Sequence, residues 1–321
     1  MNKNLYLNNS EKDWLLRIRS ILNKTKSSKK EEIILPPNNE IWYTDANNSA
    51  YDLNSWERDI ESIFGANYIS CTYTNNKGII KFDRPVTKLG VEVFWTIESL
   101  TSINFPNSVT TIGNSAFYGC GLTSIVIPNS VTSIYIYNPF AGCNYLSSIV
   151  VLSDNPKYDS RNNCNAIIET ETNKLIVGCK NTIIPNSITS IGPSAFSEIK
   201  DLTQITIPNT VTSIGEGAFY SCGLTSVTLP NILSIEAWAF NRCPLTSVTI
   251  PNSVSSIGEK AFQDCDSLTS ITVEATTPPT LGINVFSIGE TFNIYVPAES
   301  VETYKTAENW STYSSYIQPI Q

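Results

Sequence analysis

Two carboxylate pairs, Asp264 with Asp266 and Glu169 with Glu171, have the residue types of a general acid and base. Such chemistry needs burial or a nearby charge to move a pKa. Both pairs lie in polar, turn-like sequence, so exposed solubilising charge is the plainer reading. The chain has no histidine, which removes the commonest general base, the Ser-His and Cys-His pairs and most zinc sites together. No catalytic residue, metal site or cofactor is assigned, and no enzyme is expected. The stretch "SDNPKYDSRNN" at 153–163 is rich in oxygen ligands, but it lacks the glycine and terminal glutamate of a calcium loop. Asp and Asn side chains bonding their own backbone in a turn explain it without an ion.

Eight cysteines are the remaining reactive groups. Cys120, Cys143, Cys222, Cys243 and Cys265 each fall three residues after a phenylalanine, and Ile97 and Ile199 occupy the same slot elsewhere. A slot filled by either Cys or Ile is buried and apolar, which predicts free thiols acting as small hydrophobes. There is no CxxC to suggest structural zinc. In "CNAIIETETNKLIVGC" two apolar runs flank a polar tip at Glu171 and Thr172, which predicts a hairpin with Glu169 opposite Lys174 and Cys164 opposite Cys179. A buried thiol pair and a disulfide both fit that register.

The elements that must position these residues come from a repeat. "VTTIGNSAFYGCGLTSIVIP" at 109–128 returns as "VTSIGEGAFYSCGLTSVTLP" at 211–230, and the pattern recurs seven times around Phe94, Phe117, Phe140, Phe196, Phe219, Phe240 and Phe262. A period of 21–23 residues is that of a solenoid coil. "LTSIVI" alternates as a half-buried strand does, and "GEGAFYSC" suits a short helical turn. Prolines 106, 128, 208, 230 and 251 end the strands, because proline cannot donate to a ladder. Stacked about 4.8 Å apart, seven such coils span roughly 34 Å.

These residues, with "IPNSVTSIGEKAFQDCDSLTSITV" as the fullest example, resemble the leucine-rich repeat of the Bacteroides surface protein A-like family. "YDSRNNCNAIIETETNKLIVGCKNTIIP", "ATTPPTLGINVFSIGETFNIYVPAESVETYKTAENWSTY", "NNEIWYT" and "FGANYISCTYTNNKGIIKFDRPVTKLG" resemble its non-repeat segments, extending the likeness over roughly 38–321. The resemblance implies an α/β solenoid of leucine-rich-repeat type displayed on a cell surface, binding protein without catalysis. The expected division is a basic helical arm (1–37), an N-terminal cap (38–85), repeats (86–273) with a hairpin insertion near 152–184, and a C-terminal cap (274–321).

The arm has eight Lys/Arg against Glu11 and Asp13 in its first 30 residues, a net +6, so the chain's total of −8 leaves −14 on the rest. An acidic body repels nucleic acid and anionic lipid, leaving the arm as the only segment fit for such contacts. Trp14, Leu15, Ile18, Ile21 and Leu22 share one helical face, which fits docking on the solenoid end, lying on a membrane, or meeting a partner helix or nucleic acid. "WLLRIRSIL" is interrupted by Arg17 and Arg19 and lacks a secretory h-region. The expectation is a chain that stays in the cytoplasm, or one whose leader lies outside this sequence.

Function is expected where the coils differ. Strand positions such as Ser226, Thr228, Ser247 and Thr249 are small and alike, so the candidate partner-binding residues are Tyr118, Tyr135, Tyr137, Tyr145, Tyr158, Tyr220, Trp238 and Arg242, with Asn241 beside them. Tyr, Trp and Arg dominate interface hot spots. Each has the alternative duty of shielding the core. Two functions compete: adhesion to a host or neighbouring-cell protein, and binding of a glycan stacked on exposed Tyr and Trp. "YIYNPF" at 135–140 replaces the usual wording and concentrates tyrosines near the second and third coils, which are the expected contact edge.

Overall fold

A computed structural model describes residues 33–289 and 291–321. Contacts divide the chain into Met1–Leu35 and Pro36–Gln321, and the second unit holds every repeat. The amphipathic segment of the arm lies outside the described residues.

Two runs of strand recur along the coils, although the longer one is missing from the coils of Phe196 and Phe219, where 202–207 and 224–229 form no strand. The longer is the "LTSIVI" segment: Ser247–Ile250 pairs with Ser270–Val273, and that strand with Asn293–Val296, all in parallel. Along them buried and accessible residues alternate, because a pleated strand sends successive side chains to opposite faces. The shorter is the "SI" of "TSIG". Ser190–Ile191, Ser213–Ile214, Ser234–Ile235 and Ser256–Ile257 stack in one parallel ladder with every Ile buried. Period-2 alternation over two residues is too short to read from sequence, and this second ladder was not expected.

The stretch around each Phe is not the short helical turn expected. In six of the seven coils, the residues two before and two after the Phe have left-handed backbone, as at Glu92 and Thr96 (φ 53° and 56°) and Trp238 and Arg242 (φ 61° and 60°). Their N–H groups go to the next coil instead of back along the chain: Glu92 N to Asn114 O, Phe94 N to Ala116 O and Thr96 N to Tyr118 O at 3.0, 2.8 and 2.7 Å. A left-handed non-glycine residue costs about 1 kcal/mol or more. The inter-coil bond offsets that cost and satisfies a backbone donor.

Inside the turn, the repeat Phe rings form columns. Phe196, Phe219, Phe240 and Phe262 stack with centroids 5.1–5.2 Å apart and planes within 6° of parallel. The column continues to Phe286, a ring beyond the seven expected. The thiol slot is buried as expected and also carries a bond that was not foreseen. The thiols of Cys120, Cys143, Cys243 and Cys265 each donate to the carbonyl of a repeat Phe in the preceding coil, at 2.9–3.2 Å.

The hairpin enters the short ladder in series. Ala166–Glu169 pairs antiparallel with Lys174–Gly178, and Lys174–Leu175 then pairs in parallel with Ser190–Ile191, as a coil would. Its arrival splits the core in two. Ile167, Val177 and Cys179 face the cluster that runs from the N-terminal strands, whereas Cys164, Ala166, Ile168 and Leu175 face the cluster that runs to the C-terminus.

Two expectations are corrected here. Glu169 does lie opposite Lys174, but Ile167 pairs with Val177 and Ile168 with Leu175, so Ile176 is an extra residue. A one-residue bulge flips everything beyond it to the other face. Cys164 and Cys179 therefore occupy opposite cores as free thiols, and the Cys179 sulfur meets the Asn165 carbonyl at 3.3 Å. Tyr158 is not a surface residue. Its side chain is 3% exposed and its hydroxyl accepts from Ile134 N at 3.1 Å, supplying the partner that a neighbouring strand would give. In the turn before it, the Asn155 carboxamide oxygen accepts from Lys157 N and Tyr158 N.

At the N-terminal side, Glu40–Asp45 pairs antiparallel with Leu100–Asn104, the first repeat strand, in a sheet completed by Lys77–Phe82 and Tyr68–Thr74. At the other end Ile317–Pro319 adds to Asn293–Val296. Trp310 and Tyr313 pack on Phe286, with Trp310 Nε1 donating to Pro279 O at 2.8 Å.

Candidate interaction surface

The left-handed turn positions point their side chains out of the coil, so a stripe of variable residues runs along the Phe edge. The residue after each repeat Phe reads Trp95, Tyr118, Ala141, Ser197, Tyr220, Asn241 and Gln263, of which Ala141, Ser197 and Asn241 are buried; the next reads Thr96, Gly119, Gly142, Glu198, Ser221, Arg242 and Asp264. Backbone bonds between coils hold this stripe in register, including Gly119 N to Ala141 O and Ser221 N to Asn241 O.

Its first half is an aromatic and carboxylate cluster. Trp95 and Tyr118 stack with centroids 6.0 Å apart, and the Tyr118 hydroxyl donates to Glu198 Oε2 at 2.5 Å, reaching past the intervening coil. Gly142 lies beside that reach at φ 72°, where a Cβ would be in ordinary contact with Tyr118 Cζ at 3.8 Å and would crowd Gly119 N at 3.3 Å. Burial and the bond to Glu198 push the Tyr118 phenol up to about 12. Around these groups a cleft of about 350 Å³ is lined also by Thr96, Glu98, Asn144, Tyr145 and Lys200. Asn144 Oδ1 accepts from Lys200 N at 2.7 Å, joining the coils on either side of the hairpin.

The second half is a cation and ring cluster. Arg242 Nη1 donates to the Tyr220 hydroxyl at 3.1 Å, and its Nε lies 3.4 Å from Asp264 Oδ2. Lys260 Nζ stands 4.4 Å above the Trp238 ring. Such contacts hold large side chains in fixed poses at a surface.

The candidates therefore divide by location. Tyr118 and Tyr145 share the cleft, Tyr220 and Arg242 touch, and Trp238 stands beside Lys260. Tyr135 and Tyr137 are exposed with Ile136 between them, at 50%, 52% and 67%, on a separate turn after the short ladder. Tyr158 belongs to the core. Asn241 is also fully buried, its amide donating to Lys260 O at 3.4 Å. Trp95, Glu98, Glu198 and Lys200 were missed. Trp95 was legible, since it occupies the slot of Tyr118 and Tyr220, whereas Glu198 and Lys200 reach the cleft only because the hairpin's 30-odd residues fold away from it.

The class of protein so defined is a parallel β-solenoid whose repeated residues are spent on its core and ladders. The sequence matches the BspA type leucine rich repeat region in six copies over residues 67–170, 166–287 and 220–307, and the chain belongs to that family. Among solved structures it is similar to a leucine rich cell surface protein of Faecalibacterium prausnitzii, at 30% identity over 66% of this chain and 57% of that one, with a TM-score of 0.55. It is similar also to a leucine-rich repeat protein of Eubacterium ventriosum, at 28% identity over 66% of this chain and 52% of that one, TM-score 0.47. The pneumococcal vaccine antigen PcpA shares the fold at 18% identity and a TM-score of 0.57, over 73% of this chain and 64% of that one. The chain thus spans little more than half the length of the first two. No curated protein matches it.

Proposed function

We propose that this chain is a non-enzymatic interaction module that binds a protein of a host or neighbouring cell, displayed at the cell surface. One observation carries the reading: large aromatic and charged side chains gather on one edge of the coils, and Tyr135, Ile136 and Tyr137 stand bare on a separate turn. Three consecutive exposed hydrophobics are unusual on a surface with no contact to make. The likeness to a protein described as a cell surface protein supports the location.

The test is a double substitution, Tyr135→Ser with Tyr137→Ser, in labelled full-length chain applied to epithelial and bacterial cells before and after surface protease treatment. Binding that is lost on protease treatment, and lost in the double variant with an unchanged melting temperature, is the expected result. Binding that survives both treatments overturns the reading, and a fallen melting temperature means these tyrosines brace the hairpin instead.

A further inference from the structure

We infer that the cleft between the second and fourth repeat coils is a saccharide subsite, taking one neutral pyranose ring of a glycan. The argument starts from what the stripe lacks there. At the outward, left-handed position every other coil carries a side chain, but the two adjacent coils of the cleft carry Gly119 and Gly142, at φ 66° and 72°. Gly121 continues the bare floor, since a Cβ there would sit 2.1 Å from the Glu98 carbonyl oxygen. Two missing side chains in coils about 4.8 Å apart open a gap of roughly 10 Å, the scale of a single sugar ring.

The walls of this gap have the mixed character that a sugar presents. Tyr145 is 52% exposed, which leaves ring surface to stack on the C–H face of a pyranose, with Lys180 Nζ 5.9 Å from the ring centroid. Tyr118 is held rigid on the opposite side by Trp95 and Glu198. Glu98 and Glu198 offer acceptors, and Thr96 and Asn144 offer donors, at the rim where ring hydroxyls would lie, while Lys200 Nζ is held on Ser221 O and Oγ at 2.6 Å. Rigid rings with adaptable polar groups suit a small rigid polyol.

Other ligand classes fit less well. Two carboxylates at the rim oppose a phosphate or sulfate. An extended peptide needs a run of free backbone donors in strand register, and along the cleft Gly119 N is taken by Ala141 O and Glu198 N by Tyr220 O. A neutral ligand that brings its own donors and acceptors on a fixed ring is what remains.

The probes are the methyl glycosides of glucose, galactose, mannose and N-acetylglucosamine, titrated into the full chain and read by saturation-transfer NMR and tryptophan fluorescence. At least one should bind saturably, with transfer strongest to the ring C–H protons. Tyr145→Ala should weaken it about tenfold through loss of the stacking face. Gly119→Asn tests the floor independently: Asn tolerates left-handed backbone, and the nearest atom to a Cβ there is 3.5 Å away, so the fold should stand while the gap fills. Both variants should keep the wild-type melting temperature. The inference falls if none of the four glycosides binds, or if both variants bind as tightly as the wild type. It falls too if the cleft variants lose only a glycoprotein whose binding survives enzymatic deglycosylation, which would make the cleft part of a protein contact.

Discussion

Between Phe196 and Phe262 neighbouring coils are joined by backbone, whereas the coils of Phe140 and Phe196, with the hairpin's backbone inserted between them, meet each other directly through side chains. In the first region the N–H groups of Phe196, Phe219 and Phe240 all go to a carbonyl of the next coil at 2.7–2.8 Å. In the second, the hairpin holds the ladders apart, and Asn138 Nδ2 to Ala195 O, Asn144 Oδ1 to Lys200 N and the Tyr158 hydroxyl to Ile134 N take over. A repeat tolerates variation because any residue supplies the same backbone bond. The seam does so less, because each bond made directly between its two repeat coils depends on one particular side chain. The two regions should consequently fail in different ways: the repeat by cavities, the seam by orphaned polar groups.

The largest effect is expected in the repeat. Phe219 is fully buried and stacked between Phe196 and Phe240. Phe219→Ala should cost about 3–5 kcal/mol in a urea melt, because two rings lose a face to the cavity. A wild-type curve for this variant would break the column as an account of stability. At the seam, Asn138 is 2% exposed and its Oδ1 accepts from Phe140 N at 2.8 Å while its amide donates to Ala195. Asn138→Leu keeps the branched outline of the side chain, though with more bulk, and removes both bonds, for about 1–3 kcal/mol. Amide exchange would sharpen the contrast: it should quicken at Phe140 and near the hairpin, and stay slow at Ile214 in the repeat ladder.

What was legible in the sequence follows the same division. Phe, Cys and Ile slots recur, so their burial could be read by comparing coils, and Trp95 could have been read in the same way. The hairpin's opposed strands were legible from apolar runs around a polar tip. Its bulge at Ile176 was not, because one extra Ile in an apolar run changes no pattern while it reverses the face of Cys179. Tyr158 was misplaced for a related reason: nothing in "NPKYDSR" says that the ring will plug a broken ladder. The helical turn failed because Ser115, Trp238 and Lys260 adopt positive φ without glycine's signal. The inter-coil ladder imposes that backbone, and a ladder is a property of the stack.

A smaller, pH-dependent effect tests the seam from its polar side. Arg161 Nε and Nη2 donate to both oxygens of Asp159 at 2.8 and 2.6 Å, and Thr170 Oγ1 adds a third bond at 2.9 Å. Burial works against the charge of Asp159, but the bonds from Arg161 and Thr170 outweigh it and hold the carboxyl below its ordinary value. A depressed folded pKa contributes stability that is present above the unfolded value and is lost as pH falls through the folded one. Asp159→Asn should therefore lower the melting temperature at neutral pH and approach wild type below about pH 4. A constant deficit at all pH values would mean that packing, not ionisation, sets the cost.

The smallest effect expected is no reaction at all, in the thiols. Burial pushes the Cys120 and Cys265 thiols up to about 12 and those of Cys164 and Cys179 up to about 11, so little thiolate forms at neutral pH. Cys71 alone is partly accessible, and seven cysteines are buried. A native protein treated with a thiol reagent should take up one label, at Cys71, and eight after denaturation. Rapid native labelling of Cys222 or Cys243 would mean the coils open more easily than their ladders imply. Mild oxidant adds the seam to this test. Cys164 and Cys179 sit on opposite faces of the hairpin, so peptide mapping under non-reducing conditions should return both as thiols, although they flank the same two strands. The Cys222 and Cys243 sulfurs, by contrast, lie 3.5 Å apart in successive coils of one core. Any crosslink that forms as the protein is warmed should join that pair first, and a Cys164–Cys179 peptide appearing before it would restore the unbulged register and undo the two-core division at the hairpin.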